Sequence, residues 1–280
     1  MLKHRLIFGI LMSVIFIALA VADAHLDGSL TANLADDKPI QGTIFCILVF
    51  LLAIPANLEL SKLASIKNLK ILTPVTIIAS ILLAGHSYWI QFREFQAGIF
   101  LMFLLAFTLF CLFLFQYLYF GISGVLGNCG VSLLAILYLG ILSSFCITIR
   151  IEFGLWPLLM YIFVVKFADI GAFTAGKLFG KHKFSPKISP GKTWEGMAGG
   201  ITGSILVAIG FALICDIIAW YIAILFGLCL AFIGQLGDLM ESMIKRDSEQ
   251  KDSANKVPGF GGVLDGTIGA AETATDCAGI

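Results

Sequence analysis

The residues best suited to chemistry lie in one polar segment that runs from Asp238 to Asp265. It is the longest polar stretch of an otherwise apolar chain, and it combines carboxylates, lysines, an arginine and a glycine-rich turn. Mg²⁺ takes oxygen ligands from one or two carboxylates and from substrate phosphates, while Lys and Arg neutralise the remaining phosphate charge. Glycines let backbone N–H groups approach an anion closely. The segment therefore predicts a site for a metal-bound polyphosphate; the alternative is a solvated loop between membrane helices.

Lys166 and Asp169 form a second charged pair, inside an apolar stretch. They are three residues apart and so share one face of a helix. Counted from residue 155, they lie about 17–21 Å into a hydrocarbon core of about 30 Å, where each charge costs about 2.5–3.5 kcal/mol. The pair predicts a functional site, with a self-paired structural bridge as the alternative. Gly171, two residues further on, is interpreted as a helix-packing position.

A lysine-rich loop over 181–196 is the third candidate. Ser189, Lys192 and Thr193 stand just before a predicted helix, which places hydroxyls, an ammonium and a helix N-terminus together for phosphate binding. The loop does not fit the GxxxxGK[ST] pattern of a Walker A loop. Its alternative interpretation is a topology signal that also attracts anionic lipid.

The composition of the chain indicates which kind of secondary structure positions these residues. The chain has 280 residues, of which 59% are hydrophobic and 13% charged, and its mean hydropathy is +0.98. Soluble domains are about a quarter charged, so the composition predicts a polytopic membrane protein. The net charge of zero gives no general attraction to nucleic acid. The seven cysteines form no CxxC pair and predict neither a zinc site nor a disulfide framework.

About eight membrane-spanning helices are predicted, because a span needs about 20 apolar residues. The second is expected to end near Pro55. The first follows basic residues and precedes Ala22-Asp23-Ala24, a pattern that also fits a signal peptide, and we favour a retained helix over cleavage of 1–24. The predicted spans cover 6–22, 40–56, 71–90, 97–115, 131–149, 155–175, 197–215 and 217–237.

Lysine placement predicts the orientation of these helices. The loops 57–70 and 176–196 are rich in lysine, whereas 23–39 carries four aspartates against one lysine. Cytoplasmic loops carry the excess of Lys and Arg. We therefore expect both termini, both lysine-rich loops and the polar segment to face the cytoplasm.

Linked motifs over about residues 155–265 resemble phosphatidate cytidylyltransferase, also called CDP-diacylglycerol synthase. Residues 1–154 match that family only in being hydrophobic transmembrane helices, and 266–280 form an atypical tail. The motifs are Lys166-Phe-Ala-Asp169-Ile-Gly-Ala172, Gly176-Lys-Leu-Phe-Gly180-Lys, Ser189-Pro190-x-Lys192-Thr193-x-Glu195-Gly196, Gly237-Asp238-Leu-x-Glu241-Ser242-x-x-Lys245-Arg246, Lys251-Asp252 and Pro258-Gly259-x-Gly261-Gly262-x-x-Asp265.

The resemblance implies that CTP and phosphatidate react to give CDP-diacylglycerol and pyrophosphate, with Mg²⁺ and room for a second metal ion. It implies an all-α polytopic integral membrane protein of a bacterial-type inner membrane, surrounded by lipid, with a cytoplasm-facing site. It also allows a homodimer. The implied metal ligands are Asp238 and Asp265. The implied catalytic residues are Lys166, Lys192, Lys245 and Arg246, with Asp169 orienting a lysine or joining the metal shell, and the implied substrate-binding residues are Ser189, Thr193, Lys251, Gly259, Gly261 and Gly262.

The C-terminus departs from the family pattern. Phe260 stands where the family usually has His, Gly266 replaces an arginine, and Ile268 replaces a second aspartate. We expect the ninth helix of the family to be missing after Asp265 and the tail 266–280 to be a truncated or frameshifted end. We therefore expect this chain to be nearly inactive and poorly stable in detergent.

Other functions remain open from the sequence. A CTP-dependent polyprenol or lipid kinase would use similar lysines and carboxylates but release a lipid phosphate and CDP. A transporter would use Lys166 and Asp169 as a relay at the membrane midplane. An inactive truncated family member is the third alternative.

Overall fold

The computed structural model describes residues 2–30, 38–92 and 96–248. Within these ranges the chain is helical, apart from connections and one isolated antiparallel bridge between Lys183 and Thr193. A short π-helical turn, Leu137–Ile141, lies between the helices Val125–Ile136 and Leu142–Glu152. The helices are α1 (Leu2–Asp27), α2 (Thr43–Ile66), α3 (Thr73–Ala84), α4 (His86–Ile90), α5 (Ala97–Phe120), α6 (Val125–Ile136), α7 (Leu142–Glu152), α8 (Leu155–Phe179), α9 (Trp194–Cys215) and α10 (Trp220–Asp247).

Six helical stretches in the described ranges are long and apolar enough to cross a membrane, which confirms the all-α polytopic class. They are Thr43–Ile66, Ala97–Phe120, Val125–Glu152, Leu155–Phe179, Trp194–Cys215 and Trp220–Asp247. The first predicted span lies within α1.

The predicted third span, 71–90, is wrong in its extent. It divides at Gly85 into α3, which has 12 residues, and α4, which has five. A Cβ on Gly85 would lie 2.6 Å from the ring of Phe50 and 2.8 Å from the indole nitrogen of Trp89. Gly is a poor residue for a helix interior, and here its lack of a side chain makes room for the aromatic rings that pack against the break.

Several predicted helix ends are also wrong, because the helices continue into polar sequence. α2 runs through Pro55 to Ile66, and α10 runs ten residues past the predicted end at 237, to Asp247. Membrane helices tolerate proline where neighbouring groups compensate for the lost backbone bond.

The chain divides into two compact units, and the first comprises Met12–Leu155. Part of its core is an apolar cluster that includes Leu83, Leu112 and Ile136. Its other buried feature is ionic. Arg150, fully buried, ion-pairs with Asp23 through Nε at 3.0 Å and donates a 2.7 Å hydrogen bond to Asp27 through a terminal guanidinium nitrogen.

The ends of three helices meet at this arginine. Asp23 also accepts a 2.7 Å hydrogen bond from the backbone N–H of Ile44, and Asp27 accepts one of 3.0 Å from that of Gly42. The end of α1, the start of α2 and the end of α7 are therefore joined by one buried charge cluster. The sequence interpretation placed the two aspartates in a loop and assigned no role to Arg150.

The second unit comprises Met1–Leu11 and Trp156–Ile280, and its described core is formed by α8, α9 and α10. α9 and α10 are antiparallel, because only residues 216–219 separate them and the two helices pack together. The hydroxyl of Ser204 on α9 donates a 2.9 Å hydrogen bond to the carbonyl of Gly227 on α10. Such side chain–backbone bonds between helices support packing in apolar surroundings.

Small residues bring α8 and α9 into backbone contact. A Cβ on Gly199 would lie 2.6 Å from the carbonyl oxygen of Gly171, and one on Gly203 would lie 2.7 Å from that of Phe167. The packing role predicted for Gly171 is confirmed. This close approach holds α8, and the charges on it, against the start of α9.

Candidate active site

Four charged side chains from three elements of the second unit come together. Lys166 and Asp169 lie on α8, Lys192 lies in the connection before α9, and Asp238 lies on α10. Lys192 Nζ is 3.3 Å from Asp238 Oδ2 and donates to the backbone carbonyl of Gln235 at 3.4 Å. Asp169 interacts electrostatically with the other three, and Lys166 interacts with both aspartates. The group contains two lysines and two aspartates.

The helical spacing of Lys166 and Asp169 places both on one side of α8, as predicted. Asp169 is buried and Lys166 is half-buried. The two side chains do not ion-pair within 4.0 Å of each other. The alternative of a self-paired structural bridge is therefore wrong, because the partners of these charges include groups from other elements.

The connection before α9 is shaped by Thr193. Its hydroxyl accepts a 3.1 Å hydrogen bond from the backbone N–H of Gly196, which caps α9. A Cβ on Gly180 would lie 2.9 Å from that hydroxyl, so the glycine makes room for the cap. The backbone bridge between Thr193 and Lys183 fixes the position of the preceding residue, Lys192. Ser189 is half-buried in the same connection.

Four polar residues of α10 lie on one buried face. Glu241, Ser242 and Lys245 follow Asp238 at spacings of three, four and seven residues, and all four are at least 96% buried. Lys245 Nζ forms an ion pair with Glu241 Oε1 at 2.9 Å. Arg246 is exposed, and its Nε donates to the carbonyl of Ile188 at 3.3 Å.

Lys245 and Arg246 therefore face different directions, although the sequence interpretation gave both the same role. Lys245 belongs to the buried face of α10. The exposed side chain of Arg246 donates its hydrogen bond to the backbone of the connection before α9. Sequence reasoning also missed Gln235, which is buried one turn before Asp238 and accepts the hydrogen bond from Lys192. Its signal is the three-residue spacing from Asp238 on an amphipathic helix.

Part of the predicted site lies outside the described residues. This part includes Asp265, the predicted metal ligand, and the predicted substrate-binding residues Lys251, Gly259, Gly261 and Gly262. It also includes Phe260 and the tail 266–280, which contains Gly266 and Ile268.

The described carboxylates fit part of a magnesium site. In the described ranges, no group of three or more His, Cys, Asp or Glu residues is arranged to hold a metal. Asp169 and Asp238 nevertheless form a buried pair of like charges that interact with each other. Mg²⁺ is usually held by one or two carboxylates, with waters and substrate phosphates as its other ligands, and two buried carboxylates match this donor set.

Comparisons with known proteins show which family the chain resembles. A model of the cytidylyltransferase family matches residues 38–269. The chain is 33% identical to the phosphatidate cytidylyltransferase of Bacillus subtilis (strain 168) over 94% of this chain and 91% of that protein. It is 35% identical to a protein of the same name from Staphylococcus epidermidis (strain ATCC 12228) over 80% and 84%. A third such protein, from Haemophilus influenzae, is 45% identical over 39% and 40%.

Proposed function

The chain belongs to the cytidylyltransferase family, and we propose that it transfers the cytidylyl group of CTP to phosphatidate. The products are CDP-diacylglycerol and pyrophosphate, as the sequence motifs imply. The observation that carries the proposal is the group formed by Lys166, Asp169, Lys192 and Asp238. It joins cations and carboxylates from α8, α10 and the connection before α9.

The chemistry needs charge compensation more than proton transfer. A phosphate oxygen of phosphatidate attacks the α-phosphorus of CTP, and the bond from that phosphorus to the β-phosphate oxygen breaks. Because a phosphate monoester is already an anionic nucleophile, positioning and neutralisation of charge carry most of the catalysis. Lys166 and Lys192 supply cations in a partly buried setting, where their interaction with phosphate is stronger than in water.

We propose that Mg²⁺ binds at Asp238, with Asp169 joining the metal shell and Asp265 as a further ligand. The support is the pair of buried carboxylates and the preference of Mg²⁺ for carboxylate and phosphate oxygens. Bound Mg²⁺ would neutralise phosphate charge, and Lys166 and Lys192 would orient the phosphate oxygens beside it.

The six membrane-length helices make this an integral membrane protein. We propose that it lies in a cell inner membrane and that its site faces the cytoplasm, where CTP is available. The support is the excess of lysines in the connection between α8 and α9, where Lys181, Lys183, Lys187 and Lys192 stand without a carboxylate.

The direct test uses phosphatidate, Mg²⁺ and CTP that carries the label in either the α- or the γ-phosphate. Because the tail 266–280 is expected to leave the unmodified chain nearly inactive, the assay is run on that chain and on one in which a family-like Asp-Arg-x-Asp-Ser segment and a spanning helix replace 266–280. The more active of the two is the background for the turnover comparisons below. The proposal expects α-label in a lipid product and γ-label in pyrophosphate. A lipid kinase would place γ-label in the lipid and leave α-label in CDP. Label in lipid from γ-labelled CTP alone would overturn the proposal.

A further inference from the structure

Residues 180–194, which comprise the connection between α8 and α9 and the first residue of α9, form what we call the basic hairpin. Its arms are joined by backbone hydrogen bonds from Phe184 to Lys192 at 3.3 Å and from Trp194 to His182 at 2.9 Å. Lys192 is directed to Asp238 in the candidate active site. Three other lysines are exposed, namely Lys181, Lys183 and Lys187. The hairpin therefore has one cation on its inner side and three on its surface.

The acidic residue next to the hairpin does not neutralise these exposed lysines. Glu195 Oε2 accepts hydrogen bonds from the backbone N–H groups of Lys181 at 3.1 Å and His182 at 3.2 Å. Its other oxygen lies 2.6 Å from Nδ1 of His182. In the described part of the chain, neither Glu195 nor any other carboxylate ion-pairs with the ammonium groups of the three lysines. Glu195 therefore shapes the hairpin and leaves its surface positively charged.

The hairpin also carries the aromatic residues typical of a membrane interface. It connects two helices of membrane-spanning length, so it lies where the chain leaves the apolar layer. Trp194 is 58% exposed, and its ring centroid is 5.5 Å from that of Phe184. Trp is enriched at the headgroup level of membranes, and lysines beside it are placed to meet lipid phosphates.

We propose that the basic hairpin docks on the anionic phosphate headgroups of the bilayer surface and concentrates anionic lipid beside α8 and α9. Each lysine near an anionic membrane surface increases association by about fivefold. The docking itself is independent of the reaction. The consequence that phosphatidate is concentrated near the candidate active site rests on the proposed function.

Quenching of Trp194 by brominated lipid tests the docking without any assay of turnover. The full chain, with Trp89, Trp156 and Trp220 replaced by Phe, is reconstituted in phosphatidylcholine bilayers. One preparation contains brominated phosphatidylglycerol, and the other contains the same fraction of brominated phosphatidylcholine. We expect several-fold stronger quenching of Trp194 by the anionic lipid. Equal quenching by the two lipids would overturn the proposal.

Two controls separate local docking from general lipid contact. Trp220 is also 58% exposed but begins α10, at the other end of the α9–α10 pair. A chain that retains only Trp220 should show no preference for the anionic lipid.

The second control changes lysines in the chain that retains only Trp194. The double change Lys183→Gln and Lys187→Gln should remove most of the preference. The matched double change Lys62→Gln and Lys67→Gln, at exposed positions on α2 and just after it, should not. Equal loss in both pairs would contradict a role for the hairpin.

Turnover in mixed micelles supplies a second measurement, including for the case where the tryptophan variants do not fold. Lys183→Gln with Lys187→Gln should raise the half-saturating fraction of phosphatidate several-fold and leave kcat and the KM for CTP unchanged. Salt at 1 M, where the Debye length is about 3 Å, should abolish this difference. A changed KM for CTP with an unchanged lipid dependence would overturn the docking proposal. Preferential quenching in a chain that makes no CDP-diacylglycerol would instead contradict only the proposed function.

Discussion

Lys192 Nζ lies 3.3 Å from Oδ2 of Asp238, although the two residues are 46 positions apart in the chain. Their side chains are only 11% and 6% exposed. This ion pair joins the connection before α9 to the buried polar face of α10. Because Asp169 and Lys166 interact with the same aspartate, a change in any one charge alters the balance of the whole group.

Asp238→Asn should lower the rate of CDP-diacylglycerol formation by about 10²–10³, the usual loss when one electrostatic contact to the reacting groups is removed. The change removes a proposed metal ligand and leaves Lys192 without its carboxylate. Labelled product at saturating CTP and a series of Mg²⁺ concentrations gives the measurement. Asp216→Asn is the matched control, since Asp216 is exposed at the far end of α9, and Asn tolerates its φ of +50°. Wild-type turnover by Asp238→Asn at low Mg²⁺ would contradict the proposed role.

Lys166→Met should lower turnover by about 10² without lowering the thermal unfolding midpoint. The apolar side chain fits α8 at a lower insertion cost than an ammonium group, while the phosphates lose a cation. Lys177→Met changes an exposed lysine on the same helix and should retain turnover. The result that would contradict this prediction is a Lys166→Met protein with a normal rate, or one that loses rate only because it unfolds.

Gly199→Val should separate α8 from α9 and lower both stability and turnover. A Cβ at this position would meet the carbonyl of Gly171 at 2.6 Å, and backbone atoms cannot rotate away. Overpacking of this kind costs about 1–3 kcal/mol. The control is Gly210→Ala on the same helix, where a Cβ would have no neighbour within 4 Å. Thermal unfolding in detergent should show a lower midpoint for Gly199→Val and an unchanged or higher one for Gly210→Ala.

The orientation predicts the accessibility of single cysteines. In a cysteine-free chain in intact cells, Ser185→Cys in the basic hairpin should not react with an impermeant thiol reagent added outside. Asp216→Cys, between α9 and α10, should react, because one span separates the two positions. Permeabilised cells provide the reference for full labelling. Strong labelling at residue 185 with none at 216 would reverse the orientation.

Sequence reasoning predicted the membrane class and the charged group because both depend on local patterns. Long apolar stretches identify spans, and a charged pair inside one of them, Lys166 and Asp169, is conspicuous. The family resemblance added Lys192 and Asp238, which lie in two separate motifs. Helix ends were less predictable, because the hydropathy of the sequence falls where the chain leaves the apolar layer, even if the helix continues. The buried polar face of α10 instead continues the helix to Asp247.

Long-range pairing explains what sequence reasoning missed. Arg150 and Asp27 are 123 positions apart, and neither belongs to a motif. Hydropathy placed Asp23 and Asp27 in a polar loop because it scores each residue by type alone. Their burial depends on a cation contributed by α7, which no local pattern reveals.

Arg150→Met should therefore destabilise the Met12–Leu155 unit strongly. The change leaves Asp23 and Asp27 buried without their cation, and breaking a buried ion pair from one side costs about 3–5 kcal/mol. The thermal unfolding midpoint of the purified protein in detergent should fall clearly. Glu152→Gln is the control, since Glu152 is exposed in the last turn of the same helix and its loss should leave the midpoint unchanged.

Rescue distinguishes the charge imbalance from a packing defect. If the uncompensated carboxylates cause the loss, then Asp23→Asn and Asp27→Asn added to Arg150→Met should restore part of the midpoint. The amides are neutral, and each retains an oxygen that can accept the backbone N–H of Ile44 or Gly42. A triple variant that is no more stable than Arg150→Met would show that the guanidinium acts through its packed volume and hydrogen bonds. In that case the buried charges of Asp23 and Asp27 would not be what makes Arg150 necessary.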